Sequence, residues 1–402
     1  MPYESLAKLY YTDPEKYQTV YKSRFNDPNT IHFDFKINNN PAFLVLEQSI
    51  FQNIAEIYRK DKDILKKSDM LPNKAIDQFA YKCLIDEIIL TNNIEGIHSS
   101  RKEINSVISE IDNKNGKNKR FKGLVQKYLM LQQKEKQKFE SCEDIRNLYD
   151  ELVYFEVSED EPANLPDGKL FRKESASVIT STQKEIHRGV NPENEIISSM
   201  ETALKMLNDD SIEVLLRISV FHYLFGYIHP FYDGNGRTSR FISSSLLSQV
   251  LESIIGYRIS YTIKENIKDY YNSFKTCNDP KNLGDLTPFV IMFVKIINES
   301  MTQLQIALQK RLEALNRYSN LIPNFKNGNQ KKYVDLYYQL IQASLFSENG
   351  VSTQELLSIN DFSRSTLTNR LNKMDSRLLT KNQFGTVNYY GLNLKLLDEL
   401  TS

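Results

Sequence analysis

Neither sign of charge dominates this chain: 51 lysines and arginines balance 51 aspartates and glutamates over 402 residues. No global field draws it to nucleic acid or to a membrane, so any such contact must come from a local patch. Cysteine is scarce as well. Cys83, Cys142 and Cys277 stand far apart with no paired spacing, which supports neither a disulfide framework nor a zinc site. Cys83 falls on the apolar face of a predicted helix and is read as packing there. No run of eighteen apolar residues occurs, so no membrane span is expected. The opening Met1-Pro2-Tyr3-Glu4-Ser5 has no basic segment followed by an apolar one, so no signal peptide is read and a reducing cytoplasm is the expected setting. A Walker-type Gly-Lys-Ser/Thr loop is missing too, which argues against a P-loop enzyme.

What is present is ordinary for a soluble globular protein: 40% apolar and 25% charged residues, in a chain long enough for two or three domains. The most informative stretch is His229-Pro230-Phe231-Tyr232-Asp233-Gly234-Asn235-Gly236-Arg237-Thr238-Ser239-Arg240. It lies between an apolar run, Ile212 to Ile228, and an apolar-periodic segment, Phe241 to Leu251, so it reads as helix, loop, helix. Pro230 stops the first helix, and Gly234 and Gly236 permit unusual backbone angles. Successive peptide N–H groups can form an anion nest where the second helix begins. Arg237 and Arg240, three apart, share roughly one face and can fork onto phosphate. Asp233 is the one carboxylate in the loop and suits Mg²⁺, while His229 is expected to titrate near neutrality. Base, metal ligand, nest and arginines in twelve residues make a site for moving a phosphate-linked group.

This stretch closely resembles the signature loop of the Fic family: His-Pro-Phe, one variable residue, Asp-Gly-Asn-Gly-Arg, two variable residues, Arg. Every fixed position is filled. The resemblance runs from the helix near residue 76 to the helix after Pro288. It implies a mainly α fold, a Fic-type helical bundle with a small β-hairpin flap. It also implies a protein adenylyltransferase, moving AMP from ATP to a Tyr, Thr or Ser hydroxyl with release of pyrophosphate. His229 would take the hydroxyl proton and Asp233 would hold Mg²⁺. Gly234, Asn235 and Gly236 would stabilise charge on the α-phosphate. By the same likeness Arg237 would hold the β-phosphate and Arg240 the γ-phosphate.

Thr91-Asn92-Asn93-Ile94-Glu95-Gly96 closes a helical pattern that begins at Asn73. An acid at a helix C-terminus opposes the dipole and suggests a cationic partner. The stretch resembles the inhibitory motif of Fic proteins, in which the glutamate, here Glu95, pairs with the last signature arginine, here Arg240. A second β-branched texture, Ser177 to Thr182 followed by Glu185 to Pro192, reads as a hairpin resembling the Fic flap, which holds a protein target by strand addition. His187 within it is given no catalytic role. His222 in the apolar helix is read as a satisfied core histidine.

Elsewhere residues 1–40 read as short helices or irregular structure, and a helix is expected from Pro41 to about Arg59. Helices are expected around Val125 to Leu131 and Ile145 to Leu152, and the lysine-rich Asn113 to Lys122 reads as a solvated loop. Thr287 and Pro288 signal the start of a long helix. Its stripe of Ile297, Met301, Leu304, Leu308, Leu312 and Leu315 packs on the core or on a second subunit, which leaves a homodimer open. Ser319 to Asn329 reads as a linker. Beyond it, helices at 334–345, from Ser352 and at 363–374, then a hairpin at 378–381 and 387–390 joined through Gly385, resemble a winged helix-turn-helix domain. Arg364, Arg370 and Lys373 suit contacts to DNA phosphates, but protein docking stands equal to that reading. The expected division is 1–110 (N-terminal helical region with the inhibitory helix), 111–318 (catalytic core), 319–330 (linker) and 331–402 (winged helix). The expected partners are ATP and a protein substrate, with the chain's own tyrosines as a further acceptor. Removal of AMP, transfer of another phosphate-linked group, or a DNA-binding regulator that senses nucleotide are the alternatives.

Overall fold

The computed structural model describes residues 3–112, 119–132, 137–179, 185–384 and 387–401. They are mainly helical and form two compact units: Met1–Asp61 with Leu84–Thr302, and Lys62–Cys83 with Gln303–Ser402. These units cut across the four expected segments, because three long helices each contribute to both.

In the first unit, α1 (Leu6–Thr12) and α2 (Pro14–Phe25) are capped by Ser5 and Asp13, whose side chains accept from the amides of Lys8 and Lys16. The next stretch corrects the expectation for residues 1–59. Strands β1 (Thr30–Ile37) and β2 (Asn40–Val45) form an antiparallel hairpin, and the helix expected from Pro41 begins only at α3 (Gln48–Asp69). Phe33, Phe35 and Ile37 alternate into the core, and Asn38 and Asn39 turn the chain at positive φ. Leu44, inside the span expected to be helical, belongs to the strand. What holds that strand is distant: the Phe43 amide donates to Gly284 O (3.1 Å) and its carbonyl accepts from Leu286 N (2.9 Å). The buried Phe43 ring meets Phe25 edge-on at 5.3 Å.

Helix α4 (Asn73–Ile94) runs where periodicity placed it and ends before Gly96 at φ +76°. Helices α5 (Arg101–Asp112), α6 (Lys122–Gln132), α7 (Cys142–Leu152) and α8 (Tyr154–Asp160) follow. Of the lysine-rich stretch, Lys114 and Lys117 lie outside the described residues, whereas Lys119 pairs with Glu110. Strands β3 (Ser177–Ile179) and β4 (Glu185–Arg188) pair antiparallel as the expected hairpin; Thr180, Ser181 and Thr182 lie outside the described residues. Then come α9 (Glu193–Leu207), α10 (Val214–Ile228), α11 (Asn235–Val250), α12 (Ile259–Glu265), α13 (Ile267–Asn278) and α14 (Thr287–Ser319). Apolar on every face, α10 is the buried axis of the bundle and packs on α9 and α11. His222 sits in its middle, bonded to Ser243 Oγ and Tyr270 Oη (2.8 Å each) and stacked on Phe293. The core reading of His222 holds. At the start of α14 it is Asp285, not Thr287, that accepts the first free amide; Thr287 Oγ1 instead accepts from Val45 N.

In the second unit, α15 (Lys331–Phe346), β5 (Val351–Ser352), α16 (Thr353–Asn360), α17 (Arg364–Lys373), β6 (Leu379–Phe384), β7 (Val387–Leu392) and α18 (Leu394–Glu399) are joined by a three-stranded sheet ordered β5-β7-β6. The Ser352–Glu355 capping box forms with both bonds, 3.2 and 2.9 Å. Gly385 in the β6–β7 turn lies outside the described residues. The stretch read as a linker is folded: Ile322 and Phe325 are buried, and Tyr337 Oη donates to Lys326 O. Every residue of the α14 stripe is buried within the chain, so it presents no face to a second subunit. Among the described residues no helix is long and apolar enough to cross a membrane.

Two outcomes follow. Replacing Phe43 with alanine should cost the first unit about 3–5 kcal/mol in denaturant titration; a loss under about 1 kcal/mol would show that the hairpin is not part of that core. Burial pushes the His222 pKa down to about 3, so the folded state stays unprotonated where the unfolded chain takes up a proton. Its contribution therefore lowers stability as pH falls from about 6.5, by up to about 1.4 kcal/mol per unit. His222→Gln should show a correspondingly shallower slope of unfolding free energy between pH 6.5 and 4.5, and an unchanged slope would refute the assignment.

Candidate active site

Helix α10 ends at a residue its own sequence makes awkward. His229 takes left-handed angles (φ 51°, ψ 63°), and Pro230 then forbids any return to the helix. The chain reverses and re-enters helix at Gly234, whose φ of +80° and close packing on Val153 and Tyr149 leave no room for a Cβ. Phe231 fills the turn, stacked on Tyr149 at 3.8 Å. The buried Asn235 side chain staples it, accepting from Phe231 N (3.0 Å) and donating to Phe231 O (2.7 Å). One donor and the acceptor of that amide are thus engaged by the loop, and the backbone N–H of Asn235 stands at the start of α11. There the first-turn amides have no intrahelical acceptor and carry the positive end of the dipole.

His229 itself differs from the expectation of a group titrating near neutrality. Burial first, then the nearby His187 and Arg172, lower its pKa to about 3. The imidazole is therefore neutral at physiological pH. Tyr232, the variable signature position, ties the loop outward: its hydroxyl accepts from Glu174 N (2.9 Å) and donates to Asp167 (3.1 Å).

The two arginines on one stretch of helix part company. Arg237 is 1% exposed; its Nη2 lies 3.6 Å from Asp233 Oδ2, while Nε and Nη1 have no hydrogen-bond partner. A buried guanidinium with two idle donors is an anion site in waiting. Arg240, equally buried, is saturated: Nη1 meets Glu95 Oε1 at 2.8 Å, Nε donates to Thr91 Oγ1 (2.8 Å) and Nη2 to Thr91 O (2.9 Å). Burial works against its charge, and Glu95 together with Tyr270 and Tyr271 outweighs that, leaving its pKa raised. The expected Glu95–Arg240 pair is therefore formed, with Thr91 as a second anchor. The carboxylate lies directly over the nest: a Cβ on Gly236 would stand 2.0 Å from Glu95 Oε1. Behind the pair, Glu87 accepts the Ser260 amide through both oxygens, and burial pushes its pKa up to about 7.

Asp233 is half-exposed, one oxygen on its own Gly234 amide and the other facing Arg237. Among the described residues no cluster of three or more metal-ligating side chains occurs. One reachable carboxylate fits Mg²⁺, which is commonly held by one or two carboxylates plus substrate phosphates, and does not fit an ion caged by protein alone.

Sequence reading missed two groups. Arg172 is fully buried, pairs with no carboxylate among the described residues and donates to backbone carbonyls around His229. Glu193 accepts from the amides of Leu170 and Phe171 (2.8 and 3.0 Å), fixing the entry to the hairpin. A charged residue beside a turn carries no local sign of such burial.

Residues 139–247 match the model of the Fic/DOC family. The chain is 35% identical over 94 residues to the protein adenylyltransferase Fic of Drosophila erecta, which is 23% of this chain and 17% of that protein. It is 33% identical over 140 residues to the protein adenylyltransferase fic-1 of Caenorhabditis elegans, 34% of this chain and 25% of that protein. The chain thus spans a quarter or less of these curated relatives. In fold it is similar to a Fic family protein from Desulfovibrio desulfuricans G20, at TM-score 0.53 and 19% identity, over 87% of this chain and 97% of that one. Residues 139–247, with the loop built on His229 among them, thus form a Fic/DOC family domain.

Proposed function

We propose that this chain is a protein adenylyltransferase whose own α4 holds it off. One observation carries the reading: on the loop that begins at a neutral His229, the first turn of α11 holds a buried Arg237 whose Nε and Nη1 have no partner and whose Nη2 lies 3.6 Å from the half-exposed Asp233. That arrangement asks for a phosphate chain. The relatives' names, protein adenylyltransferase, support ATP as its source.

In this mechanism a ring nitrogen of His229 removes the proton from a protein hydroxyl, a contribution of about 10²–10⁴ in rate. The hydroxyl oxygen bonds the α-phosphorus as the bond to the β-phosphate oxygen breaks, and pyrophosphate leaves. First-turn amides around Gly234, Asn235 and Gly236 take up the growing oxyanion charge. Arg237 binds the β-phosphate, and Asp233 would hold Mg²⁺, which supplies charge neutralisation between phosphates. Arg240 would meet the γ-phosphate once Glu95 lets go. While the pair persists, the carboxylate above Gly236 faces the phosphates, and a misplacement of about 1 Å costs on the order of 10²-fold. The β3–β4 hairpin offers its strand edge to an extended protein segment.

Intact mass after incubation with ATP and Mg²⁺ tests both halves. Glu95→Gly should gain AMP on itself or an added target on the order of 10²-fold faster than wild type, and His229→Ala in the same background should gain none. Equal rates with and without Glu95 would refute the inhibition; transfer by the His229 variant would refute the base. Loss of AMP from a premodified target, with no addition, would instead favour removal.

A second reading concerns the C-terminal elements, which we take as a winged helix from their order. Between Phe362 and Phe384 there are five lysines and arginines and one carboxylate, Asp375, which Arg377 already engages at 2.8 Å. The rest of 331–402 carries three cations against six acids. The exposed side of α17 offers Arg364, Thr368, Asn369, Asn372 and Lys373, which suits a duplex backbone and its base edges. Full-length protein should shift a duplex in a gel with an affinity that falls as salt rises, and Arg364→Ala with Lys373→Ala should weaken it and flatten that dependence. A salt-insensitive shift, or none, would leave protein docking as the use of this face.

A further inference from the structure

The last carbonyls of a helix have no partner within it. At the end of α10 four successive ones are nevertheless all occupied. Tyr227 O accepts from His187 Nε2 (2.6 Å), and Ile228 O from Val190 N (3.0 Å) and Arg172 Nη2 (3.5 Å). His229 O accepts from Arg172 Nε (2.9 Å) and Pro230 O from the Arg172 amide (3.2 Å). Every donor belongs to the hairpin or its two roots. Arg172 also holds those roots together, donating through Nη1 to Glu174 O (2.6 Å) and through Nη2 to Val190 O (2.7 Å).

From this geometry we infer that Arg172 is the positioning residue for His229, locking the base's backbone and the strands that receive the target into one rigid piece. The inference rests on the reading of His229 as the base. Its physical ground is the position of the charge. Among the described residues no carboxylate pairs with this fully buried guanidinium, which is costly, and the negative end of the α10 dipole and four carbonyls compensate it. Those carbonyls surround the one left-handed residue of the loop that is not a glycine, whose strained conformation persists only if its surroundings over-determine it. Because the clamp grips Glu174 and Val190 on either side of the hairpin, a segment added to that hairpin is docked in register with the ring of His229. The fork matters as well as the charge. A lysine ammonium would keep the cation but could not reach carbonyls in four directions.

The test uses the full chain carrying Glu95→Gly, with and without Arg172→Lys or Arg172→Gln. Both added substitutions should lower kcat for AMP transfer at least about 10²-fold while the KM for ATP stays within about threefold, since Arg237 and the nest are untouched. Where deletion of Arg172 prevents folding, Gly189→Ala serves instead: its Cβ would stand 2.4 Å from Arg172 Nη2 and 2.9 Å from His229 Cβ, displacing the clamp without removing it. A ring titration of His229 by NMR reads the same contact without any turnover. It should move upward in the glutamine variant, which loses a neighbouring positive charge, while His222 stays put. Full activity in Arg172→Lys would overturn the positioning role, and so would a fall in kcat matched by an equal rise in KM for ATP. If the Glu95→Gly protein transfers no AMP at all, the base reading fails on its own. An unmoved His229 titration would then refute the clamp separately.

Discussion

Four successive carbonyls at one helix end constrain the architecture around the candidate site. A helix as apolar as α10 is stable only when buried, and burying its C-terminus without partners would strand acceptors in a medium that cannot hydrate them. The hairpin and its roots supply those partners, and in doing so they hold His229 left-handed. The reversal at His229 sends the chain through a short turn stapled by Asn235 and starts α11 alongside the end of α10. His229 and the first turn of α11 are thus neighbours because of one capping arrangement, supplied by the β3–β4 hairpin and its roots.

A second balance concerns charge. Arg237 and Arg240 are three residues apart on one helix and both are buried, yet one is idle and the other saturated. The difference comes from α4, which brings Thr91 and Glu95 to Arg240 and nothing to Arg237. A carboxylate at the C-terminal end of α4 opposes that helix's dipole, and the pair with Arg240 offsets the cost. Arg240 is buried while Glu95 keeps part of its side chain exposed, so loss of the glutamate would leave a buried cation uncompensated.

Local pattern served well where the residues in one window decide the outcome. The bounds of α4, the buried character of α10, the capping box at Ser352 and the helix-loop-helix around Gly234 all came from spacing and turn chemistry. Pattern failed where a distant segment arbitrates. Leu44 fits a helical stripe and an alternating strand equally, and the backbone of Gly284 and Leu286 selects the strand. Ser319 to Asn329 has the composition of a linker, but the packing of Ile322 and Phe325 folds it. The stripe of α14 has the spacing of an interface, and its burial within the chain uses it up.

The sequence by itself determined the chemistry at hand: a histidine, a carboxylate, two glycines and two arginines in a loop between helices, and a glutamate near the end of another. It did so because turns, caps and the spacing of side chains on a helix are properties of a few adjacent residues. Only the tertiary structure decided what those groups can do. It lowered the pKa of His229 by burying it beside Arg172 and His187, spent the Asn235 amide on the loop and pinned Arg240 beneath Glu95. It also turned Arg172 from one more charged residue into the cap of the central helix. Burial, dielectric surroundings and the partners of a polar group depend on chain far away in sequence. No window of residues carries them.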